Sequence, residues 1–203
     1  MTGHATERAQ ARALAQRERI LDAAQACFVE HGFHAANMAG IASAADMSPG
    51  LIYRYFPSKN DIILAIIERQ LDLARAEIDE LHHSMNIPRD IWKAVCKDTV
   101  GEDRIKPALY AEMSAEASRV EEIGKAVRNS DRILRDEFCD WLTRSREDDG
   151  LGLPGRKARC VSLLVQCLVD GLRLRQLREP DLDQALVKRA LQDLVPGWLE
   201  PDA

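Results

Sequence analysis

A chain of 203 residues with 46 % hydrophobic content can bury a proper core, which excludes a disordered chain. The formal net charge of −5 excludes a uniformly basic surface. It still permits a local nucleic-acid-binding face: residues 1–60 hold six Lys/Arg against five Asp/Glu, whereas residues 61–203 hold twenty-two against twenty-eight.

Ala, Leu, Glu, Arg and Gln abound while Val and Ile are sparse, so the expected fold is all-α, with about nine helices. The first is predicted from about Arg8 to Glu30, because Ile20, Leu21, Ala24, Cys27 and Phe28 recur at threes and fours before Gly32 stops them. Its early turns carry Arg8, Arg12, Arg17 and Arg19, which form either a solvated face or a DNA-contacting arm.

Asn37 is predicted to cap a short helix ending near Ala45, with Ile41 and Ala42 inward. Ser48 caps the next, with Pro49 at its first position and Met47 and Ile52 spaced as a hydrophobic staple. That helix cannot pass Pro57, and Ser58 then starts a long helix from Lys59 to about His83. Two helices of two turns each bury little alone, so residues 10 to about 60 read as a three-helix unit, the helix-turn-helix arrangement.

Further helices are expected near 89–99, 103–118, 120–148, 156–177 and 181–195. The fourth of these, "RCVSLLVQCLVDGLRLRQL", is apolar on nearly every side and so needs cover all round. Its own core would cover one side and a second copy of the chain the other, with Leu164, Leu168, Gly171 and Leu172 at the contact. Leu182, Leu186, Ala190 and Leu194 would complete a four-helix interface across a two-fold axis.

The stretch "ADMSPGLIYRYFPSKNDI" holds three of the chain's ten aromatic residues. On a helix, Ile52 and Phe56 turn inward and leave Gly50, Leu51, Tyr53 and Tyr55 on other faces. Lys59 sits in a first helical turn, where the dipole disfavours a cation unless an anion is shared. A reading surface flanked by phosphate contacts accounts for this order of residues.

Residues 17–67, with "ILDAA…F…G" and "IA..A..S.G.IY.YF.SK", resemble the N-terminal domain of the tetracycline-repressor-like (TetR/AcrR) family of bacterial regulators. The later helices resemble that family's dimerising, ligand-binding domain more loosely, as in "ALYAEMSAEASR" and "LVDGLRLRQL". The resemblance implies a DNA-binding domain over 1–60 and a ligand-binding and dimerisation domain over 61–203. It implies DNA contacts by Asn37, Met38, Gly50, Leu51, Tyr53, Arg54 and Tyr55, with Lys59 on a phosphate. The groove face of Gly50, Leu51, Tyr53 and Tyr55 offers no Arg, Asn or Gln for paired base contacts, so thymine-methyl readout by Leu51 and the tyrosine rings is expected, supplemented by shape and phosphate contacts.

A small-molecule effector would sit between the middle helices. Candidate lining residues are Trp92, Cys96, Tyr110, Met113, Phe138 and Trp141, with His82, Glu112 and Gln166 as polar handles. The expected protein is a homodimeric repressor released from a palindromic duplex operator by that effector. The alternatives are an activator on the same scaffold, or a helical ligand carrier or enzyme with a vestigial helix-turn-helix.

"GLGLPG" at 150–155 matches G-x-G-x-x-G, but no strand precedes it and Pro154 interrupts it, so it reads as a loop. Neither cofactor nor metal is expected, since no His or Cys spacing suits zinc. The five cysteines, at 27, 96, 139, 160 and 167, lack a CxxC pair and fit buried thiols in a reducing cytosol. Cys160 and Cys167 share a helical face, which leaves a redox sensor as the other reading. The opening residues hold no secretory core, and no run of about eighteen apolar residues occurs, so a cytoplasmic chain without a membrane partner is expected.

Overall fold

The computed structural model describes residues 3–82, 86–90 and 105–200. They contain helices α1 (Gly3–Ala35), α2 (Met38–Ala44), α3 (Pro49–Tyr55), α4 (Lys59–His82), α5 (Pro107–Ala117), α6 (Glu121–Thr143), α7 (Gly155–Arg178) and α8 (Gln184–Leu199). Residues 87–90 are also helical, and a 3₁₀ turn spans Arg146–Asp148. No strand occurs among the described residues, so the fold is all-α as expected. Most of the helix expected near 89–99 lies outside them.

By contacts the chain forms two compact units, Met1–Arg69 with Glu102–Ala126, and Gln70–Gly101 with Val127–Ala203. The boundary expected at residue 60 therefore differs from the packing. Helix α4 continues unbroken past that point, and α5 joins the first unit by packing on α1.

In the first unit, Ile20, Ala24, Phe28, Ile41, Ala42, Ile52, Ile62 and Ile66 are fully buried. Each large apolar side chain taken from water contributes roughly 1.5–3 kcal/mol, which is what holds two helices as short as α2 and α3. Helix α1 does break at Gly32, where φ is 76° and ψ is 161°. That conformation is essentially reserved for glycine. One further turn, Phe33–Ala35, follows the kink. From α4, Arg69 pairs with Glu18 at 2.9 Å and Asp22 at 2.7 Å on α1. Burial opposes the Arg69 charge, but hydrogen bonds to Asp22 and Glu18 outweigh it and raise its pKa.

In the second unit, Phe138, Trp141, Leu142, Leu153, Ala158 and Val161 form one core cluster. Trp141 Nε1 donates to the carbonyl of Asp149 at 2.8 Å, which fixes the loop before α7. A Cβ at Gly150 would fall 2.2 Å from the Arg144 carbonyl oxygen, so only glycine fits that approach. The residues of the G-x-G-x-x-G match thus form a tight connection into α7, as a loop reading requires. A second cluster, Val187, Leu191 and Val195 of α8, packs against Val165, Leu168, Val169, Leu172 and Leu182. Among the described residues no helix is long and apolar enough to cross a membrane.

Candidate nucleic-acid interface

The geometry of α2 and α3 follows from their caps. Asn37 Oδ1 accepts from Gly40 N at 2.9 Å and Ser48 Oγ from Leu51 N at 3.3 Å, each satisfying an otherwise orphan donor in a first turn. Helix α3 ends at Phe56, whose backbone is extended ahead of Pro57. From α1, the Arg19 guanidinium donates to the carbonyls of Ala45 and Asp46, closing the turn that delivers α3. Arg17 lies over the Phe56 ring at 4.4 Å. Two of the four early arginines thus hold the helix-turn-helix together from within.

Helix α3 then separates its residues by face. Ile52 is 0 % exposed and Phe56 1 %, while Tyr53 is 53 % exposed. Gly50 and Arg54 are exposed, Leu51 and Tyr55 half-buried, and nothing lies within 4 Å of where a Gly50 side chain would begin. Asn37 is exposed and Met38 half-buried at the start of α2. Asn37 and Met38 thus stand at the start of α2, and Gly50, Leu51, Tyr53, Arg54 and Tyr55 along α3.

Lys59 departs from expectation. It is half-buried, and its Nζ donates to the carbonyls of Phe33, His34 and Ala36 at 2.5, 3.3 and 2.8 Å. The ammonium also sits 4.3 Å from the Phe33 ring centroid. A cation tolerates the first turn of α4 because it caps the carbonyl-rich end of α1, where the dipole favours it. Burial lowers its pKa, against the opposing pull of Glu116. The phosphate contact expected of Lys59 is therefore corrected: its donors are spent inside the protein.

The same junction is gripped from α5, a feature with no local signal in the sequence. Glu112 Oε2 accepts from Phe33 N at 2.9 Å, and its carboxylate lies 3.7 Å from where a Gly32 Cβ would be. Glu116, 3 % exposed, reaches His34 Nε2 at 3.5 Å and Arg119 at 3.8 Å. Glu112, expected as an effector handle, is thus a backbone cap.

The other effector candidates fall in different units or outside the described residues. Tyr110 and Met113 belong to the first unit, where Met113 is buried. Phe138 and Trp141 are ring-packed core of the second, with centroids 5.4 Å apart. Half-buried Gln166 accepts from Arg135 Nη1 at 3.1 Å and donates to the Asp131 carbonyl at 3.4 Å. Trp92, Cys96 and the side chain of His82 lie outside what is described.

Among the proposed dimer residues, Leu164 is 50 % and Leu186 59 % exposed, and Gly171 is exposed with open space around it. Leu168, Leu172 and Leu182 are half-buried against the α8 core stripe. Cys160 and Cys167 are exposed, which corrects the expectation of buried thiols: their helical face points away from the core of this unit.

Residues 20–66 match the model of the bacterial regulatory proteins of the tetR family. The HTH-type transcriptional regulator UidR of Escherichia coli K12 is 30 % identical over 188 residues, covering 90 % of this chain and 92 % of that protein. Salmonella enterica GusR superposes with a TM-score of 0.71 at 24 % identity, over 92 % of this chain and 96 % of that one. A transcriptional regulator from Saccharomonospora viridis, solved in complex with choline, gives 0.67 at 22 % identity, over 89 % and 95 %.

A capped two-helix reader on a three-helix support, with such relatives, defines a DNA-binding transcriptional regulator rather than an enzyme. More narrowly, the chain belongs to the tetR family of bacterial regulatory proteins.

Proposed function

We propose that this regulator works as a cytoplasmic homodimer that represses transcription from a palindromic operator and is released by a small molecule. The observation that carries the DNA contacts is the exposed ring of Tyr53 on a helix whose neighbours Ile52 and Phe56 are fully covered. An aromatic left half bare beside a saturated core is available to a partner. Gly50, Leu51, Arg54 and Tyr55, with Asn37 and Met38 at the preceding helix start, complete the face. Tyr53 and Leu51 suit thymine methyls and groove shape more than paired base hydrogen bonds.

The homodimer is supported by Leu163, Leu164, Leu186 and Leu194, each 48–61 % exposed on α7 and α8. Two copies would present two reading helices to half-sites about 34 Å apart or a multiple of it. Effector release is supported by the choline-bound neighbour. It requires that the ligand favour the spacing that does not fit DNA.

Genomic DNA pull-down with sequencing should recover a palindrome, and Tyr53→Ala should lower affinity for that duplex at least tenfold with the melting temperature unchanged. Normal binding by Tyr53→Ala would reject this reading face. A reporter on the recovered operator, with and without the protein, separates repression from activation.

A further inference from the structure

We infer that the N-terminal half of α1 is a second DNA-contacting element, in which Arg8 and Arg12 hold phosphates flanking the sequence read by α3. This rests on the DNA-reading face proposed above and extends it.

Residues 7–15 of α1 are all exposed, and side-chain cover within the chain begins only at Gln16. About two and a half turns therefore stand on helix propensity alone, a length that is marginal for an isolated helix in water. A solvated helix would need no particular arrangement of its charges. Here Arg8, Arg12 and Arg19 fall within about 40° of one another at 100° per residue, in a stripe about 16 Å long.

The inner end of that stripe is fixed: Arg19 grips the Ala45 and Asp46 carbonyls of the turn leading into Ser48 and Leu51. The stripe therefore lies on the side of α1 that faces the N-terminal end of α3, the end of a recognition helix that meets the bases. Arg17, half a turn away, is occupied over Phe56. Asp46 pairs with Arg19 at 3.6 Å at the inner end of the stripe, but the acids of α1 lie off its forward part: Glu7 and Glu18 are about a quarter-turn away, and Glu18 is held with Asp22 by Arg69. Two forward arginines beside a duplex-reading face complement a line of phosphates.

The test uses the full-length chain and two duplexes: the recovered palindrome with native flanks, and the same palindrome trimmed of them. Arg8→Ala with Arg12→Ala keeps the best helix former at both sites and so should leave the melting temperature and helicity unchanged. On the long duplex this variant should bind about tenfold more weakly, with the slope of log affinity against log salt reduced by about 0.9 for each lost phosphate contact. On the trimmed duplex it should match the unsubstituted protein, and Arg8→Lys with Arg12→Lys should restore the long-duplex slope. Unchanged affinity and slope on the long duplex, while Tyr53→Ala still fails to bind, would overturn the arm and leave the reading face standing. If Tyr53→Ala binds normally, the reading face itself falls.

Discussion

The helix-turn-helix and the α7–α8 pair treat their apolar residues in opposite ways. In the first, Ile41, Ile52, Phe56 and Ile62 are 0–1 % exposed, and between Asn37 and Ser58 the one large hydrophobic side chain left exposed is Tyr53. In the second, the core stripe Val187, Leu191 and Val195 is buried, yet Leu186 and Leu194, one residue earlier in each turn, are 59 % and 61 % exposed. A region that finishes its own core needs a partner only for what it presents. A region with two apolar stripes on one helix has a structural reason to meet another copy of itself.

The largest effect should come from breaking the second region. Leu164→Glu with Leu194→Glu places charge on the uncovered stripes, where it costs the single chain little. Size-exclusion chromatography with light scattering should show monomers, and loss of two-site engagement should weaken operator binding by roughly 100- to 10,000-fold. Dimers that persist would remove the contrast between the two regions.

A smaller effect, confined to the first region, should follow Gly32→Ala. A side chain at φ 76°, ψ 161° costs about 1–3 kcal/mol. Thermal unfolding should register that loss without any change in oligomeric state.

The smallest expected change concerns Asp131 in α6. Burial, then the neighbouring Asp170 charge, raises its pKa despite Arg135 and Arg173. The folded chain therefore holds this proton more tightly than the unfolded chain does. The resulting stabilisation is complete in acid below the unfolded pKa and disappears as pH rises through the folded one. Asp131→Asn should accordingly raise the melting temperature slightly at neutral pH, and that gain should shrink on acidification. A gain independent of pH would assign the effect to packing instead.

Legibility followed the range of the interactions. Asn37, Ser48 and Pro49 act within three or four residues, so caps and helix starts could be read directly, and α2 and α3 lie where they were expected. Lys59 could not be placed this way, because its partners are the carbonyls of residues 33–36, on another helix. Nor could α5, whose Glu112 meets Phe33 across 79 positions. On α8 the sequence shows apolar residues at 186, 190 and 194 and again at 187, 191 and 195, both with helical spacing. Period alone cannot say which series is inner, and the structure gives that place to the latter.

The Glu112–Phe33 hydrogen bond also bears on how the chain is made. At 5–20 residues per second, roughly 4–16 s of translation separate the two residues. For the later part of that interval, once residue 55 has been added, a nascent DNA-binding unit has the sequence of its reading helices but lacks the acid that secures the end of its first helix. Maturation of that unit thus waits on a residue supplied long after its own sequence has emerged.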